Sequence, residues 1–188
     1  AKKAFELKGK KVGFIGLGAI GRQTQKLCKA IGMETFGYDP YISRESMEAM
    51  GCEYYEDYRE LLRACDIISI HVPLVEATRG MIGRDELALM KKTAVIINCS
   101  RGGIIDEEAL ADALNRGSIA GAGTDVFEEE PPSEKNPLLC AKNLVYSPHS
   151  AAQTKEAVIR MAEMCIKGCL AVLNGEKWQY VANPKVYE

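Results

Sequence analysis

The sequence predicts an α/β fold, a doubly wound parallel sheet with helices on both faces. Short apolar runs, typical of buried strands, alternate along the chain with segments that place apolar residues at helical spacing. Strands and helices that alternate in this way pair in parallel through right-handed crossovers. Ligands of such sheets bind beyond the carboxyl ends of the strands, so the residues that follow each predicted strand are the candidates for function.

The composition is that of an ordinary globular domain. The chain has 188 residues, of which 47% are hydrophobic and 27% are charged, a balance that excludes disorder and allows a full core. The net charge of −2 excludes a general attraction to nucleic acid or to a membrane surface. No apolar stretch reaches the roughly 20 residues that a bilayer-spanning helix needs. The lysines before the first strand are expected to be a solvated lead-in: Lys2, Lys3, Lys8, Lys10 and Lys11.

The cysteines and histidines argue against a metal centre. The chain has seven cysteines, none in a Cys-x-x-Cys pair, and its two histidines are His71 and His149, so we expect neither a zinc site nor a disulfide framework. This usage favours a reducing, cytoplasmic compartment. Cys165 and Cys169 are four residues apart, and we expect them to be core thiols on one face of a helix.

Three strands and four helices are predicted in the first half of the chain. The strands are residues 12–15, Glu34–Tyr38 and 66–71. The helix after the first strand carries Ile20, Leu27 and Ile31 at helical spacing and is expected to stop at Gly32. Three shorter helices are predicted at residues 43–50, 57–64 and 84–90.

The second half of the chain adds three strands and two helices. The strands are residues 93–98, 119–126 and Leu144–Tyr146. Asp106 is expected to cap a helix that carries Leu110 and Leu114 and ends at Gly117. An acidic loop that contains prolines is predicted at residues 128–136, and the longest helix at residues 154–173.

A glycine motif lies where the first strand turns into the first helix. Gly16, Gly18 and Gly21 have the spacing Gly-x-Gly-x-x-Gly. The first glycine permits a tight turn, the second lets the backbone approach a pyrophosphate, and the third lets the helix pack on the strand. The helix N-terminus would supply N–H groups and a partial positive charge to the phosphates. In this strand–turn–helix context the motif predicts a Rossmann-like dinucleotide site.

An acidic residue completes the dinucleotide pattern. Asp39 ends the second predicted strand, where its carboxylate can accept hydrogen bonds from the hydroxyls of the adenosine ribose. The same charge would repel the extra phosphate of NADP. NAD is therefore the expected cofactor, and Arg44, close in sequence, keeps NADP open as the alternative.

Four further segments follow predicted strands. They are His71-Val72-Pro73, residues 98–106 with Arg101-Gly102-Gly103, residues 125–131 with Glu130-Pro131, and residues 147–152 with Pro148-His149. Together with the glycine motif and Asp39, these segments occur in the order and at the spacing of the D-isomer-specific 2-hydroxyacid dehydrogenases. The chain resembles the NAD-binding lobe of that family over almost its whole length. Within the family it is most similar to the phosphoglycerate dehydrogenases, through residues 37–40, 98–99, 129–132 and 154–157.

The resemblance implies an oxidoreductase that transfers a hydride between NAD and a small D-2-hydroxy or 2-keto acid. Oxidation of such an acid needs a base for the hydroxyl proton and a cation for the carboxylate. The resemblance makes His149 the base, Glu130 the residue that orients its ring, and Arg101 the cation. Glu130 is selected over Glu128 and Glu129 because it directly precedes a proline.

The resemblance also implies a set of cofactor-binding residues. They are Gly16, Gly18, Ala19, Ile20, Gly21, Tyr38, Asp39, Pro40, His71, Val72, Pro73, Thr78, Asn98, Cys99, Ser100, Arg101, Asp125, His149 and Ala151. Ala19 stands where the family often has arginine, so one side-chain contact to phosphate is absent. His71 is expected to line the cofactor pocket, and a purely structural role is the alternative. Cys99 is expected to be a small packing residue.

The resemblance implies that the family's substrate lobe is built from segments on either side of this domain, and we expect that lobe to lie outside this sequence. Residues 1–176 are expected to form the NAD-binding domain, and residues 177–188 a tail that leads back to an absent substrate lobe. We therefore expect little activity from this chain alone. The resemblance further implies a cytoplasmic homodimer that pairs through the cofactor domain, and a role in serine biosynthesis. The alternative is a dinucleotide-sensing interaction protein, like the corepressors that resemble this family.

Overall fold

The computed structural model describes residues 4–188, and two lysines of the predicted lead-in, Lys2 and Lys3, lie outside the described residues. The described residues divide after His149 into two compact units. The first unit runs to His149, and the second is Ser150–Glu188. Each unit is described in turn below.

The first unit is built on a doubly wound, all-parallel sheet, as predicted. Its strands are β1 (Lys11–Ile15), β2 (Glu34–Tyr38), β3 (Glu53–Tyr54), β4 (Ile67–Ile70), β5 (Val95–Asn98), β6 (Gly121–Thr124) and β7 (Leu144–Tyr146). They lie in the order β3-β2-β1-β4-β5-β6-β7. The winding reverses between β1 and β4, which opens a crevice at the carboxyl ends of these strands. Strand β3 is absent from the prediction because two residues carry no periodic pattern.

The predicted helices are confirmed within one to two residues at most ends. They are α1 (Ala19–Ala30), α2 (Arg44–Ala49), α3 (Tyr58–Ala64), α4 (Arg84–Leu89), α5 (Glu107–Arg116) and α6 (Lys155–Leu173). Ser43, Asp57, Asp106 and Thr154 cap α2, α3, α5 and α6 by accepting backbone N–H groups of the first turn. Gly117, at φ +69°, ends α5. Three short 3₁₀ helices, missing from the prediction, are Glu76–Thr78, Pro137–Cys140 and Pro184–Tyr187.

Helices cover both faces of the sheet. Adjacent residues of a strand point to opposite faces, and the neighbours Phe14 and Ile15 of β1 accordingly belong to different clusters of buried side chains. The cluster of Ile15 includes Leu61 of α3 and Leu110 of α5, and the cluster of Phe14 includes Met47 of α2. Burial on both sides fixes the strand ends, and the loops that follow them, relative to one another.

The buried face of α1 consists of small and polar residues. The apolar residues that predicted this helix, Ile20, Leu27 and Ile31, are 74%, 60% and 54% exposed. Gly21 and Gln25 are buried instead. The amide of Gln25 donates to a threonine hydroxyl of β2 at 3.0 Å. The side chains of α1 that face the sheet are therefore small or polar, and its apolar spacing marks the outer face.

The second unit consists of α6 and the irregular segment that follows it. Trp178 folds back across the helix at Gly168, where a Cβ would lie 3.1 Å from the indole nitrogen. Cys165 and Cys169 are exposed, so the prediction that they are core thiols is wrong. Within this unit α6 has only that segment to pack against, and most of its surface stays open. In the part of the chain that is described, no helix has the length and apolar character to cross a membrane.

Candidate active site

Two glycines of the loop between β1 and α1 are required for steric reasons. Gly16 has φ +91°, and a Cβ there would lie 2.8 Å from the carbonyl oxygen of His71. A Cβ on Gly21 would overlap the carbonyl oxygen of Gly16. Backbone atoms cannot move aside as a flexible side chain can, so both positions admit only glycine.

Gly18 differs because the described chain leaves the space beside it open. A Cβ there would meet no heavy atom within 4 Å, and its φ of −65° suits any residue. Gly18 is the N-cap of α1 and brings no side-chain cap to the first N–H groups of the helix. Ala19 and Ile20 of that turn are exposed. Backbone donors with room in front of them fit a pyrophosphate.

Asp39 closes the other side of the glycine loop. Its Oδ2 accepts the N–H of Leu17 at 2.8 Å, and its Oδ1 accepts the N–H of Tyr41 at 2.9 Å. Arg44, the residue that kept NADP open, lies 3.9 Å from Glu48. An exposed pair at this distance holds the guanidinium only weakly, and NAD is favoured by the negative charge of Asp39.

A pocket of about 200 Å³ lies at the crevice where the winding of the sheet reverses. It is lined by Ile20, His71, Val72, Pro73, Cys99, Ser100 and Arg101. All seven are predicted site residues, and they come from the first turn of α1 and from the loops after β4 and β5. The structure therefore brings together segments that are far apart in the sequence.

His71 is fixed between the glycine loop and this pocket. Its Nε2 lies 2.9 Å from the hydroxyl of Ser69, and its ring stacks on Phe14 with 6.0 Å between the centroids. Burial lowers the pKa of His71, so the ring is neutral at physiological pH. A neutral ring anchored on the sheet suits the wall of a pocket better than it suits proton transfer.

The lowered pKa of His71 predicts a pH-dependent contribution to stability. Below about pH 6.5 the histidine of the unfolded chain binds a proton that the folded chain does not, so this contribution is complete above that pH and is lost as the pH falls. The slope is at most about 1.4 kcal/mol per pH unit. Urea unfolding of wild type and His71→Asn between pH 5 and 7.5 measures it. The variant should lack this slope, and parallel profiles would contradict the burial of a neutral ring.

The side chain of Asn98 builds the loop that carries Arg101. Its Oδ1 accepts the N–H and the hydroxyl of Ser100, at 3.1 and 2.8 Å, and its Nδ2 donates to the carbonyl of Arg101 at 2.9 Å. Asn98 is buried at the end of β5, so the loop rests on a rigid strand end. The guanidinium of Arg101 is exposed and donates to the carbonyl of Ser100 at 2.6 Å.

Cys99 lies on the pocket wall and not in the core. It is exposed, so the prediction of a packing residue is wrong: the loop turns its side chain toward the pocket. Partial desolvation, and then the carboxylate of Asp125, raise the pKa of Cys99. The thiol is thus protonated at neutral pH and a weak nucleophile. Asp125 is 2% exposed and accepts a hydrogen bond from the hydroxyl of Ser147.

The remaining predicted cofactor residues shape loops or lie at the surface. The carbonyl of Tyr38 accepts the N–H of Gly16 at 2.8 Å, and its ring packs on that of Tyr58. The hydroxyl of Thr78 donates to the carbonyl of Pro73 at 2.6 Å, which fixes the turn after β4. Pro40 and Ala151 are exposed, and Ala151 belongs to the second unit.

The loops after β5 and β6 meet backbone to backbone at Gly102. A Cβ on Gly102 would overlap the carbonyl of Phe127 and lie 2.5 Å from the nitrogen of Glu128. Glu107, at the start of α5, braces the second loop by accepting the N–H of Glu128 at 2.7 Å and the side-chain amide of Asn136 at 2.6 Å. Glu107 could not be predicted from the sequence, because an acidic residue in a first helical turn carries no signal of a distant partner.

Glu130 and His149 form a hydrogen-bonded pair at the carboxyl end of the sheet. Nδ1 of His149 lies 2.7 Å from Oε2 of Glu130, whose Oε1 accepts the N–H of Phe127 at 3.1 Å. These two hydrogen bonds, that of His149 foremost, lower the pKa of Glu130 and keep it ionised at neutral pH. His149 has φ +52°, and its N–H donates to the carbonyl of Asp125 at 2.8 Å. The pair is thus an imidazole whose Nδ1 is held by a carboxylate.

A second pocket, of about 310 Å³, opens beside this pair. It is lined by Phe127, Glu130, Pro131, Pro132, Pro148 and His149. Arg101 lines the other pocket, and the loops of the two pockets touch at Gly102. Among residues 4–188 no group of three or more His, Cys, Asp or Glu side chains is arranged to hold a metal ion.

Comparisons with known proteins bear on this arrangement. Residues 1–151 match the family described as "D-isomer specific 2-hydroxyacid dehydrogenase, NAD binding domain". The chain is 50% identical over 181 residues to the D-3-phosphoglycerate dehydrogenase of Methanocaldococcus jannaschii, which covers 96% of this chain and 34% of that protein. It is 43% identical to the glyoxylate reductase of Aeropyrum pernix, over 96% of this chain and 54% of that protein.

The fold has matches among solved structures. The NAD complex of a D-isomer specific 2-hydroxyacid dehydrogenase from Lactobacillus delbrueckii ssp. bulgaricus has a TM-score of 0.87 at 33% identity. The match covers 96% of this chain and 58% of that chain. The chain therefore spans between a third and somewhat more than half of the length of the proteins it matches.

Proposed function

Because the chain belongs to the D-isomer-specific 2-hydroxyacid dehydrogenases as an NAD-binding domain of that family, we propose that it is the cofactor-binding part of an enzyme that interconverts a D-2-hydroxy acid and the matching 2-keto acid. The observation that carries the proposal is the hydrogen-bonded pair of Glu130 and His149. The pair lies at the same end of the sheet as the glycine loop, where an acid–base group and a dinucleotide could serve one reaction.

The glycine loop and Asp39 hold the cofactor in this proposal. The first turn of α1 receives the pyrophosphate, and the carboxylate of Asp39 receives the adenosine ribose. The pocket that contains His71 and Cys99 forms a wall on the nicotinamide side. When bound, NAD supplies the acceptor or donor of the hydride.

His149 carries the proton. It takes the hydroxyl proton of the hydroxy acid in oxidation and returns it to the keto oxygen in reduction. Because Nδ1 is held by Glu130, Nε2 is the ring atom that exchanges this proton. The ionised Glu130, oriented in turn by the N–H of Phe127, stabilises the positive charge that develops on the ring.

Arg101 holds the substrate carboxylate. Its planar guanidinium matches the two carboxylate oxygens, and it polarises the carbonyl when the reaction runs toward the hydroxy acid. Its exposed side chain rises from a loop that Asn98 fixes from below. The loop therefore has a set position while the cation stays open to a ligand.

We propose 3-phosphoglycerate as the substrate. The support is the 50% identity to a D-3-phosphoglycerate dehydrogenase, while the 43% identity to a glyoxylate reductase makes glyoxylate the second candidate. With 3-phosphoglycerate as the substrate, we propose that the enzyme acts in serine biosynthesis. We propose the cytoplasm as its location.

We also propose the extent of the domain and its assembly. Residues 1–176 bind the cofactor, and residues 177–188 lead to a substrate lobe, which accords with the share of its relatives that the chain spans. Helix α6 exposes apolar side chains along its length: Val158, Ile159, Met161, Ile166, Leu170, Val172 and Leu173. Apolar surface of this extent calls for a protein partner, and a homodimer through the cofactor domain is the one we propose.

Titration of this chain with NADH tests the cofactor site. Gly18→Ala should bind NADH about tenfold more weakly or worse, because the added methyl fills the space assigned to the pyrophosphate. Its free energy of unfolding should change by less than about 1 kcal/mol, because nothing in the fold meets the methyl. Equal affinity in the two proteins would contradict the placement of the cofactor.

A panel of D-2-hydroxy acids, with 3-phosphoglycerate among them, tests the reaction. It is run with NAD on the full-length protein that contains this chain. Reduction of NAD in the presence of one of these acids is the expected result. A protein that binds NADH but oxidises none of them would contradict the proposed activity and leave the cofactor site in place.

A further inference from the structure

Leu17, between the first two glycines of the loop, is held at both of its backbone polar groups. Its N–H donates to Oδ2 of Asp39 at 2.8 Å. Its carbonyl accepts Nε of Arg22 at 2.7 Å. The two partners come from different elements, since Asp39 follows β2 and Arg22 lies in the first turns of α1. The loop is thus tied to the sheet on one side and to its own helix on the other.

The side chain of Leu17 is fixed as firmly as its backbone. It is fully buried, in the cluster that contains Phe14 and Met47. Gly37 of β2 makes room for it, since a Cβ there would lie 2.5 Å from Cδ1 of Leu17. Leu17 is therefore a fixed point between Gly16, which requires glycine, and Gly18, which faces open space.

Asp39 also ties the loop to the turn that follows β2. Its second oxygen, Oδ1, accepts the N–H of Tyr41 at 2.9 Å. One carboxylate therefore joins the glycine loop to the 39–41 turn. A contact to the adenosine ribose would need neither of these hydrogen bonds. Asp39 therefore has a structural role in the glycine loop that ribose binding does not explain.

We propose that Asp39 and Arg22 act together as positioning residues that set the glycine loop before the cofactor arrives. By holding Leu17 from both sides, they aim the first N–H groups of α1 at the place of the pyrophosphate. When the loop is already ordered, less of the binding free energy is lost in ordering it. Because Asp39 orders the loop, the affinity for the phosphates depends on Asp39 as well. The inference rests on the proposed NAD site at this loop. Asp39 consequently influences the binding of both the ribose and the phosphates of the adenosine diphosphate moiety, and replacing it with a neutral residue weakens NAD binding at both.

Two ligands separate this role from a ribose contact. One is NADH, and the other is NADH whose adenosine ribose lacks both hydroxyls, with Kd measured by calorimetry. For Asp39→Ser we expect about a 100-fold weaker Kd for NADH and still about a tenfold weaker Kd for the dideoxy analogue, compared with wild type. If Asp39 acts only through the ribose hydroxyls, the analogue binds variant and wild type equally, and the proposal is overturned.

Amide hydrogen exchange in the cofactor-free chain gives a second readout. We expect the amide of Leu17 to exchange at least about tenfold faster in Asp39→Ser than in wild type, because its acceptor is lost. Arg22→Gln should also speed exchange in the loop and weaken both ligands several-fold. Lys26→Gln, which removes an exposed cation of the same helix, is the matched control and should change neither.

The outcomes distinguish failure of the NAD site from failure of the positioning role of Asp39 and Arg22. A wild-type chain that fails to bind NADH refutes the NAD site, and the exchange rates then still decide whether Leu17 is held as proposed. Should Asp39→Ser not fold, Arg22→Gln decides, because Arg22 is exposed and touches the loop only from outside. Unchanged exchange and unchanged affinity in Arg22→Gln would refute the proposal.

Discussion

Gly102→Ala is expected to lower the free energy of unfolding by about 3 kcal/mol, the upper range for overpacking. The added methyl would occupy the position of the Phe127 carbonyl and press on the nitrogen of Glu128, and both are backbone atoms. To relieve the overlap, the loop after β6 must move away from the loop after β5. Such a move displaces Glu130, which the N–H of Phe127 orients. Urea unfolding followed by far-UV circular dichroism measures the loss.

Gly123→Ala is the matched control for this prediction. Gly123 lies in β6, and a Cβ there would be no closer than 3.9 Å to its neighbours, an ordinary contact. We expect its free energy of unfolding to remain within about 1 kcal/mol of that of wild type. If the two variants unfolded alike, the close approach of the loops would be refuted.

His149→Gln in the full-length protein is expected to lower kcat by about 10²–10⁴-fold, the usual contribution of a general base. Glutamine fills a similar volume and can still bond to Glu130, but it cannot take up the substrate proton. Steady-state rates of NAD reduction measure the effect. A variant that kept more than a tenth of the wild-type kcat would show that the proton goes elsewhere.

The neighbouring acidic residues supply a sharp control for the same prediction. Glu130→Gln removes the charge that faces the imidazole, and we expect a substantial loss of kcat. Glu129→Gln makes the same chemical change one residue earlier at an exposed position, and the rate should stay near that of wild type. Equal losses in both variants would mean that the loop charge as a whole, and not the pairing with His149, matters.

Local signals in the sequence predicted most of the fold. Caps such as Ser43 and Asp106 act within one helical turn, so their residue types suffice to place helix starts. The glycine loop was predictable for a related reason, because tight spacing between a strand and a helix dictates which positions lack a side chain. Glu130 and His149, which the family resemblance assigns to one site, lie in hydrogen-bond contact, and their catalytic roles stay a prediction.

The features that the sequence did not reveal depend on distance through space. The spacing of Ile20, Leu27 and Ile31 shows that they share one face of α1. Packing against the sheet decides which face is buried, and the buried face is the one that carries Gly21. Likewise, an Arg-Gly-Gly motif predicts a turn, but it does not show that Gly102 lies against the backbone of Phe127, 25 residues further along the chain. Such contacts arise only when separate loops converge at one edge of the sheet.

The amide of Asn98 works as a two-sided connector, with its oxygen facing Ser100 and its nitrogen facing the carbonyl of Arg101. Aspartate has nearly the same shape but no nitrogen. At this position it would leave the carbonyl of Arg101 without its donor and set a negative charge against it. Spontaneous deamidation of Asn98 would therefore alter the loop that presents Arg101 while leaving the strand beneath it intact.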